Sequence, residues 1–158
     1  MDAISLPVDI LHLAGRLALA TLLGAAIGFN REISLKPAGL RTHALVALGA
    51  ALATGVGLQL TGFGRGDPSA PSRIIQGIVA GIGFIGGGVI LHQADVRAVH
   101  GLTTAASIWV VAATGVAAAA GLWRSAILAV VLALLVLTVG RTIDRILHRI
   151  SHTDPDDD

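Results

Sequence analysis

The chain reads as an all-α membrane protein, a bundle of about five transmembrane helices, on three observations. It is 54% hydrophobic and only 13% charged, where soluble domains carry roughly 25% charged residues. Glycine is abundant, with 20 in 158 residues. The apolar residues fall into five runs, each of about the 20 residues that cross a bilayer, separated by short polar segments. Almost nothing is left over for a soluble domain, so residues 1–140 are assigned to the membrane and 141–158 to a basic interfacial segment with an acidic tail.

The first run, Ile10 to Phe29, is apolar apart from His12 and Arg16, and Gly24 and Gly28 form a small-residue face suited to close helix packing. Arg16 lies about two turns in. Its guanidinium either snorkels to the interface or is buried in a pair, with Asp67 the nearest carboxylate candidate. The preceding segment, Met1 to Val8, has no Lys or Arg and so lacks the basic start of a secretory signal. The first run is therefore expected to be retained as a span.

The segment Arg31 to His43 follows. It holds Arg31, Lys36 and Arg41, and Pro37 and Gly39 break helical structure within it, which gives a tight turn. Thr42 is placed to cap the second run, His43 to Gly62. The loop Phe63 to Ser72 contains Arg65 and Asp67, and Ser72 next to Arg73 is expected to cap the third run, Ile74 to Leu91. That run carries Gly77, Gly81, Gly83, Gly86, Gly87 and Gly88. Each costs roughly 1 kcal/mol against Ala in an aqueous helix, so their density implies backbone contact with a neighbouring helix or a locally broken helix lining a site.

A loop with Asp95, Arg97 and His100 leads into the fourth run, which opens with Gly101-Leu-Thr-Thr-Ala-Ala-Ser-Ile-Trp109 and ends near Ala120. The fifth, Ser125 to Val139, is aliphatic up to Gly140. Arg141, Arg145 and Arg149 then recur at helical spacing, the pattern of an interfacial basic helix. The tail, ending in Asp156-Asp157-Asp158, is too polar to fold.

Seven Lys and Arg residues fall on one side of this threading and at most four on the other. That places the amino terminus outside and the carboxyl terminus in the cytoplasm. Gly39-Leu-Arg-Thr-His-Ala44 and Gly101-Leu-Thr-Thr-Ala-Ala106 share a pattern 62 residues apart. The first four spans thus read as two parallel copies of one hairpin, with a fifth helix added.

The function classes narrow accordingly. With no cysteine there are no disulfides, thiolate nucleophiles or thiolate metal sites. A net charge of +1 gives no global attraction for nucleic acid. No catalytic triad or His-x-x-x-His zinc pair is suggested by spacing, so no catalytic residue, metal site or cofactor is assigned. Gly81-x-Gly83-x-x-Gly86 matches a dinucleotide fingerprint in letters only, since no strand-turn-helix unit surrounds it. Magnesium is a hard ion that needs oxygen ligands, and the acidic residues all fall at or beyond span ends.

What remains is a cytoplasmic face where two helices begin. Arg31, Lys36, Arg41, Thr42, His43, Arg97, His100, Thr103 and Thr104 gather there. Free N–H groups, the positive ends of two helix dipoles and arginine side chains suit a phosphate or carboxylate. The alternative is that the threonines only cap helices and the basic residues only set topology.

Lys36-Pro-Ala-Gly-Leu-Arg-Thr-His43, Gly81-Ile-Gly-Phe-Ile-Gly-Gly-Gly-Val-Ile90 and Gly101-Leu-Thr-Thr-Ala-Ala-Ser-Ile-Trp109 together resemble the MgtC/SapB family of bacterial membrane proteins, over about residues 10 to 140. The resemblance implies a bacterial inner-membrane protein of about five spans, in a family associated with growth under magnesium limitation and, in pathogens, with virulence. Members carry a magnesium-transporter label, and some are thought to restrain other membrane proteins, including ATP synthase. On this resemblance the chain is expected to be a short form, without the soluble C-terminal domain of longer members. Where the family commonly reads Glu-Arg after the first helix this chain has Asn30-Arg31, and His100 stands where an Arg is common. An additional Ser-Ala-Pro separates Asp67-Pro68, the counterpart of the family's loop acid, from Ser72-Arg73.

The expected function is a non-enzymatic regulator of magnesium and envelope homeostasis that binds an anionic group or a membrane-protein partner at its cytoplasmic face. A small transporter of magnesium or another ion, and a structural subunit of a membrane complex, are the alternatives. Self-association is compatible with so many small-residue faces.

Overall fold

The computed structural model describes residues 10–62, 67–92 and 101–151, and among them there are five helices. They are α1 (Ile10–Ile33), α2 (Leu40–Leu60), α3 (Ala70–His92), α4 (Leu102–Ala119) and α5 (Trp123–Ser151). Each contains a stretch long and apolar enough to cross a membrane. The protein is an all-α membrane protein, in which every helix satisfies its own backbone groups away from water. α1, α3 and α5 run one way, and α2 and α4 the other.

α4 is the axis of the bundle and touches all four other helices. Half of its span is buried inside the protein, against 6% of the span in α3, which leaves α3 facing outward. The core is built from small residues: Ala20, Ala47, Ala51, Ala118, Ala119 and Ala126 are buried, with Ile27, Val111 and Val130 filling between them. Lipid tails are as apolar as these side chains, so attraction between the helices comes from close packing and polar contacts.

The closest packing centres on Ala47. A Cβ on Gly24 of α1 would lie under 3.0 Å from the His43 carbonyl oxygen and the Ala47 side chain, and one on Gly115 of α4 would collide with the Ala47 carbonyl. Gly28 is as tightly placed against Gly39 and Leu40. Gly86 of α3 faces Ala105 of α4, and these positions lie 62 residues beyond Gly24 and His43, so the α1–α2 and α3–α4 hairpins share a register. Among the described residues, none outside the helix itself comes within 4 Å of where a Cβ on Gly77, Gly81, Gly83, Gly87 or Gly88 would sit.

Several boundaries differ from the sequence reading. Thr42 does not cap α2. The helix begins at Leu40 after Gly39, and the carboxylate of Glu32 accepts the Leu40 N–H at 2.9 Å, because the short turn brings the end of α1 beside the start of α2. Ser72 lies inside α3, since Asp67 and Ser69 already organise the start: Asp67 Oδ1 accepts from the Ser69 N–H at 2.9 Å and from its hydroxyl at 2.7 Å. Asp67 pairs with Arg73 rather than with Arg16. Arg16 instead donates to the Ala119 carbonyl at 2.7 Å, one of the free acceptors at the end of α4. α5 passes through Gly140 without a break and runs on to Ser151. The acidic tail beyond Ser151 lies outside the described residues.

The glycine contrast predicts a differential. Gly115→Ala should destabilise the protein in detergent by about 1–3 kcal/mol, the cost of overpacking, whereas Gly81→Ala should be neutral or gain up to about 1 kcal/mol of helix propensity. Equal effects on thermal unfolding would contradict the packing at Ala47. At the exposed start of α3, the hydroxyl and N–H of Ser69, and then Arg73, hold the Asp67 carboxyl below its ordinary 3.8. The folded value is the lower one, so this small contribution to stability is present above pH 3.8 and lost as pH falls through the folded value. An NMR titration of Asp67 should give a midpoint below that of a free Asp, and Ser69→Ala should raise it.

Candidate functional site

The turn between α1 and α2 is shaped by backbone hydrogen bonding. At the end of α1 the N–H of Leu35 returns to the Glu32 carbonyl at 2.9 Å and that of Lys36 to the Arg31 carbonyl at 3.1 Å. This closure needs a left-handed residue, which glycine supplies most cheaply. Here the position is Leu35, with φ 52°, and Ala38 is also left-handed at φ 56°. The corresponding closure at the end of α4 uses Gly121, with φ 86°. Two non-glycine residues in a sparsely populated conformation mark a turn held by what surrounds it.

The turn sets Arg31, in the last turn of α1, against the first turns of α2 and α4. Arg31 is only 3% exposed and donates through Nη2 to the Thr104 hydroxyl. His43, fully buried, bridges the two parallel helices. Its Nδ1 lies 3.0 Å from the Gly39 carbonyl and its Nε2 3.0 Å from the Ser107 hydroxyl. A carbonyl can only accept, so Nδ1 carries a proton. The Ser107 hydroxyl that faces Nε2 donates its single proton to the Thr104 carbonyl at 2.8 Å. A chain of polar contacts thus runs from the start of α2, through α4, to the buried cation on α1.

That cation is incompletely matched. Among the described residues Arg31 has no carboxylate partner, and its Nε, buried, has no acceptor. Glu32 is turned away to the Leu40 N–H. The negative end of the α1 dipole favours Arg31, but the positive ends of α2 and α4 point to the same place, as does the charge of Arg141 from α5. Arg141 donates to the carbonyl and the side-chain oxygen of Asn30, and Asn30 also reaches toward Thr138. A buried guanidinium flanked by helix starts and a second guanidinium suits an anion.

Of the residues expected at this face, the fold brings Arg31, His43 and Thr104 into one buried network. Lys36, Arg41, Thr42 and Thr103 are exposed at the same end of the bundle. Arg97 and His100 lie outside the described residues. Sequence reasoning missed Ser107, Asn30 and Arg141 as parts of the site. Ser107 stands one helical turn after Thr104 in an otherwise apolar stretch, a signal that was available. Arg141 and Asn30 are 111 residues apart and no local pattern joins them. A cavity of about 120 Å³ between α3 and α4, lined by Ile75, Ile78, Ile82, Trp109, Ala112 and Val116, offers only apolar walls and no group for an ion.

Thr104→Val keeps the shape of residue 104 but removes the oxygen that accepts from Arg31, so it should destabilise the protein by about 2 kcal/mol, the scale for a lost hydrogen bond to a charged group. Thr103→Val, on the exposed side of the same turn, should change thermal stability by less than about 0.5 kcal/mol.

The family model described as the MgtC family matches residues 17–146. Protein SrpB of Synechococcus elongatus is 43% identical over 92% of this chain and 85% of its own length. Protein MgtC of Brucella abortus is 42% identical over 86% of this chain, and YhiD of Escherichia coli K12 is 41% identical over 78%. The chain spans 54% of the length of that MgtC protein and 58% of YhiD. No solved structure matches. A match across most of the helical bundle, with relatives above 40% identity, places this bacterial-type membrane protein in the MgtC family.

Proposed function

We propose that the chain is a non-enzymatic membrane protein of magnesium and envelope homeostasis that works by binding an anionic group, free or on a membrane-protein partner, at the end of the bundle where α2 and α4 begin. One observation carries this reading. Arg31 is buried at that end with no carboxylate partner among the described residues. Breaking a buried ion pair costs about 3–5 kcal/mol, and a buried cation left without a counter-charge bears a penalty of this kind. An anion brought by a ligand or partner would relieve it.

The buried residues Arg31, His43, Thr104 and Ser107 hold the face in shape, and the exposed Lys36, Arg41, Thr42 and Thr103 form its rim. This end is the cytoplasmic one on the distribution of Lys and Arg. A relative from Escherichia coli K12, YhiD, carries the name of a magnesium transporter, which supports a magnesium-related role.

The chain is expected to restore growth in magnesium-poor medium to a bacterium lacking its own MgtC-family protein. Arg31→Gln, and separately the double variant Arg41→Ala with Thr103→Ala, should abolish that rescue while the protein still reaches the membrane fraction at wild-type level. Full rescue by Arg31→Gln would refute the anion reading.

A further inference from the structure

Resting on the anion-binding reading above, we propose that the adjoining ends of α1 and α5 bind a phosphate oxyanion, held between the guanidiniums of Arg141 and Arg31. Arg31 is 97% buried and its Nε has no acceptor among the described residues, so part of its donor set is unused there. Arg141, half-buried, reaches in from α5 and donates through Nη2 to the Asn30 carbonyl at 3.0 Å and to the Asn30 side-chain oxygen. Both acceptors are neutral and share hydrogen bonds without cancelling charge. The charge of Arg141 acts on Arg31, and no carboxylate pairs with either cation among the described residues.

The donors exceed what a carboxylate would use. The two guanidiniums and the Asn30 amide lie at the same end of the bundle, and among the described residues that amide reaches only Thr138, at 3.5 Å, the limit of a hydrogen bond. A phosphate presents several charged oxygens to such a set and is the usual partner of paired arginines. The depth also fits, because Asn30 and Arg31 lie three and two residues from the end of the α1 span at Ile33, and Arg141 two residues from the end of the α5 span at Ile143. Basic crevices between helices at this level bind phospholipid headgroups. Free inorganic phosphate carries the same chemistry.

The two sources separate in one experiment. The full chain is placed in phosphatidylcholine nanodiscs, and its melting is followed by the fluorescence of Trp109 and Trp123, with phosphatidylglycerol or inorganic phosphate added in separate arms. Wild-type protein should melt about 2–4 °C higher with the bound oxyanion. A rise only with phosphatidylglycerol identifies a lipid phosphate, and a rise with inorganic phosphate identifies the free ion. Arg141→Gln should remove the rise. Asn30→Asp, which puts a carboxylate beside Arg141, should raise melting in phosphatidylcholine alone and remove the dependence on added phosphate. Arg124→Gln, exposed at the other end of the bundle, should respond like wild type.

A flat response of the wild-type protein to both additions, or an undiminished response in Arg141→Gln, overturns the proposal. If the response is flat while Arg31→Gln still fails to rescue growth, this phosphate site falls and the wider anion reading stands. Full rescue by Arg31→Gln removes the wider reading itself.

Discussion

The closeness of three backbones at Ala47 is the constraint on which the rest of the structure depends. Gly24 of α1 and Gly115 of α4 both press on α2 at this residue, and neither position has room for a methyl group. With the backbones so near, side chains one or two turns away no longer point into lipid but into one another. That is why the imidazole of His43 can span from α2 to Ser107 of α4, and why the guanidinium of Arg31 finds Thr104 instead of water. The glycines supply no chemistry of their own. They set the distance at which the chemistry occurs.

The same closeness makes the polar network expensive. Arg31 and His43 are among the most deeply buried polar residues, at the end of the bundle where two helix dipoles present their positive ends. Glu32, adjacent in sequence, does not neutralise Arg31, because it caps α2. The turn that permits this carries left-handed Leu35 and Ala38, which costs backbone energy that a glycine would have spared. A strained turn, a diverted carboxylate and a buried cation with an unused donor occupy one place. The proposed function rests on their concentration there, since strain and unmet polar groups persist only where the surroundings impose them.

Some of the site was readable in advance. The two Gly-Leu-x-Thr segments pointed to paired helix starts, and both helices do begin directly after a glycine, Gly39 and Gly101. Arg31 and His43 were expected at this end together with Lys36, Arg41, Thr42, Arg97, His100, Thr103 and Thr104. Which of neighbouring residues would be buried was not readable: Thr104 is buried and Thr103 exposed, and His43 is buried and Thr42 exposed. In an Ala-rich helix the apolar pattern is too even to choose a face. The glycines illustrate the same limit. Gly24 and Gly28 have the spacing of Gly77 and Gly81, yet the first pair is packed against α2 and the second faces open space.

By itself the sequence determined that the chain is a five-helix membrane protein of the MgtC family, because bilayer thickness demands apolar runs of fixed length and the ordered glycine motifs are distinctive. It also determined that polar residues would collect at the ends of those runs. Only the tertiary structure decided that α4 is the axis, that α3 faces outward, and that Arg141 comes to lie beside Asn30 and Arg31. Those relations rest on how closely helix backbones approach, which is a property of pairs of helices distant in the chain and leaves no periodic trace in either one alone.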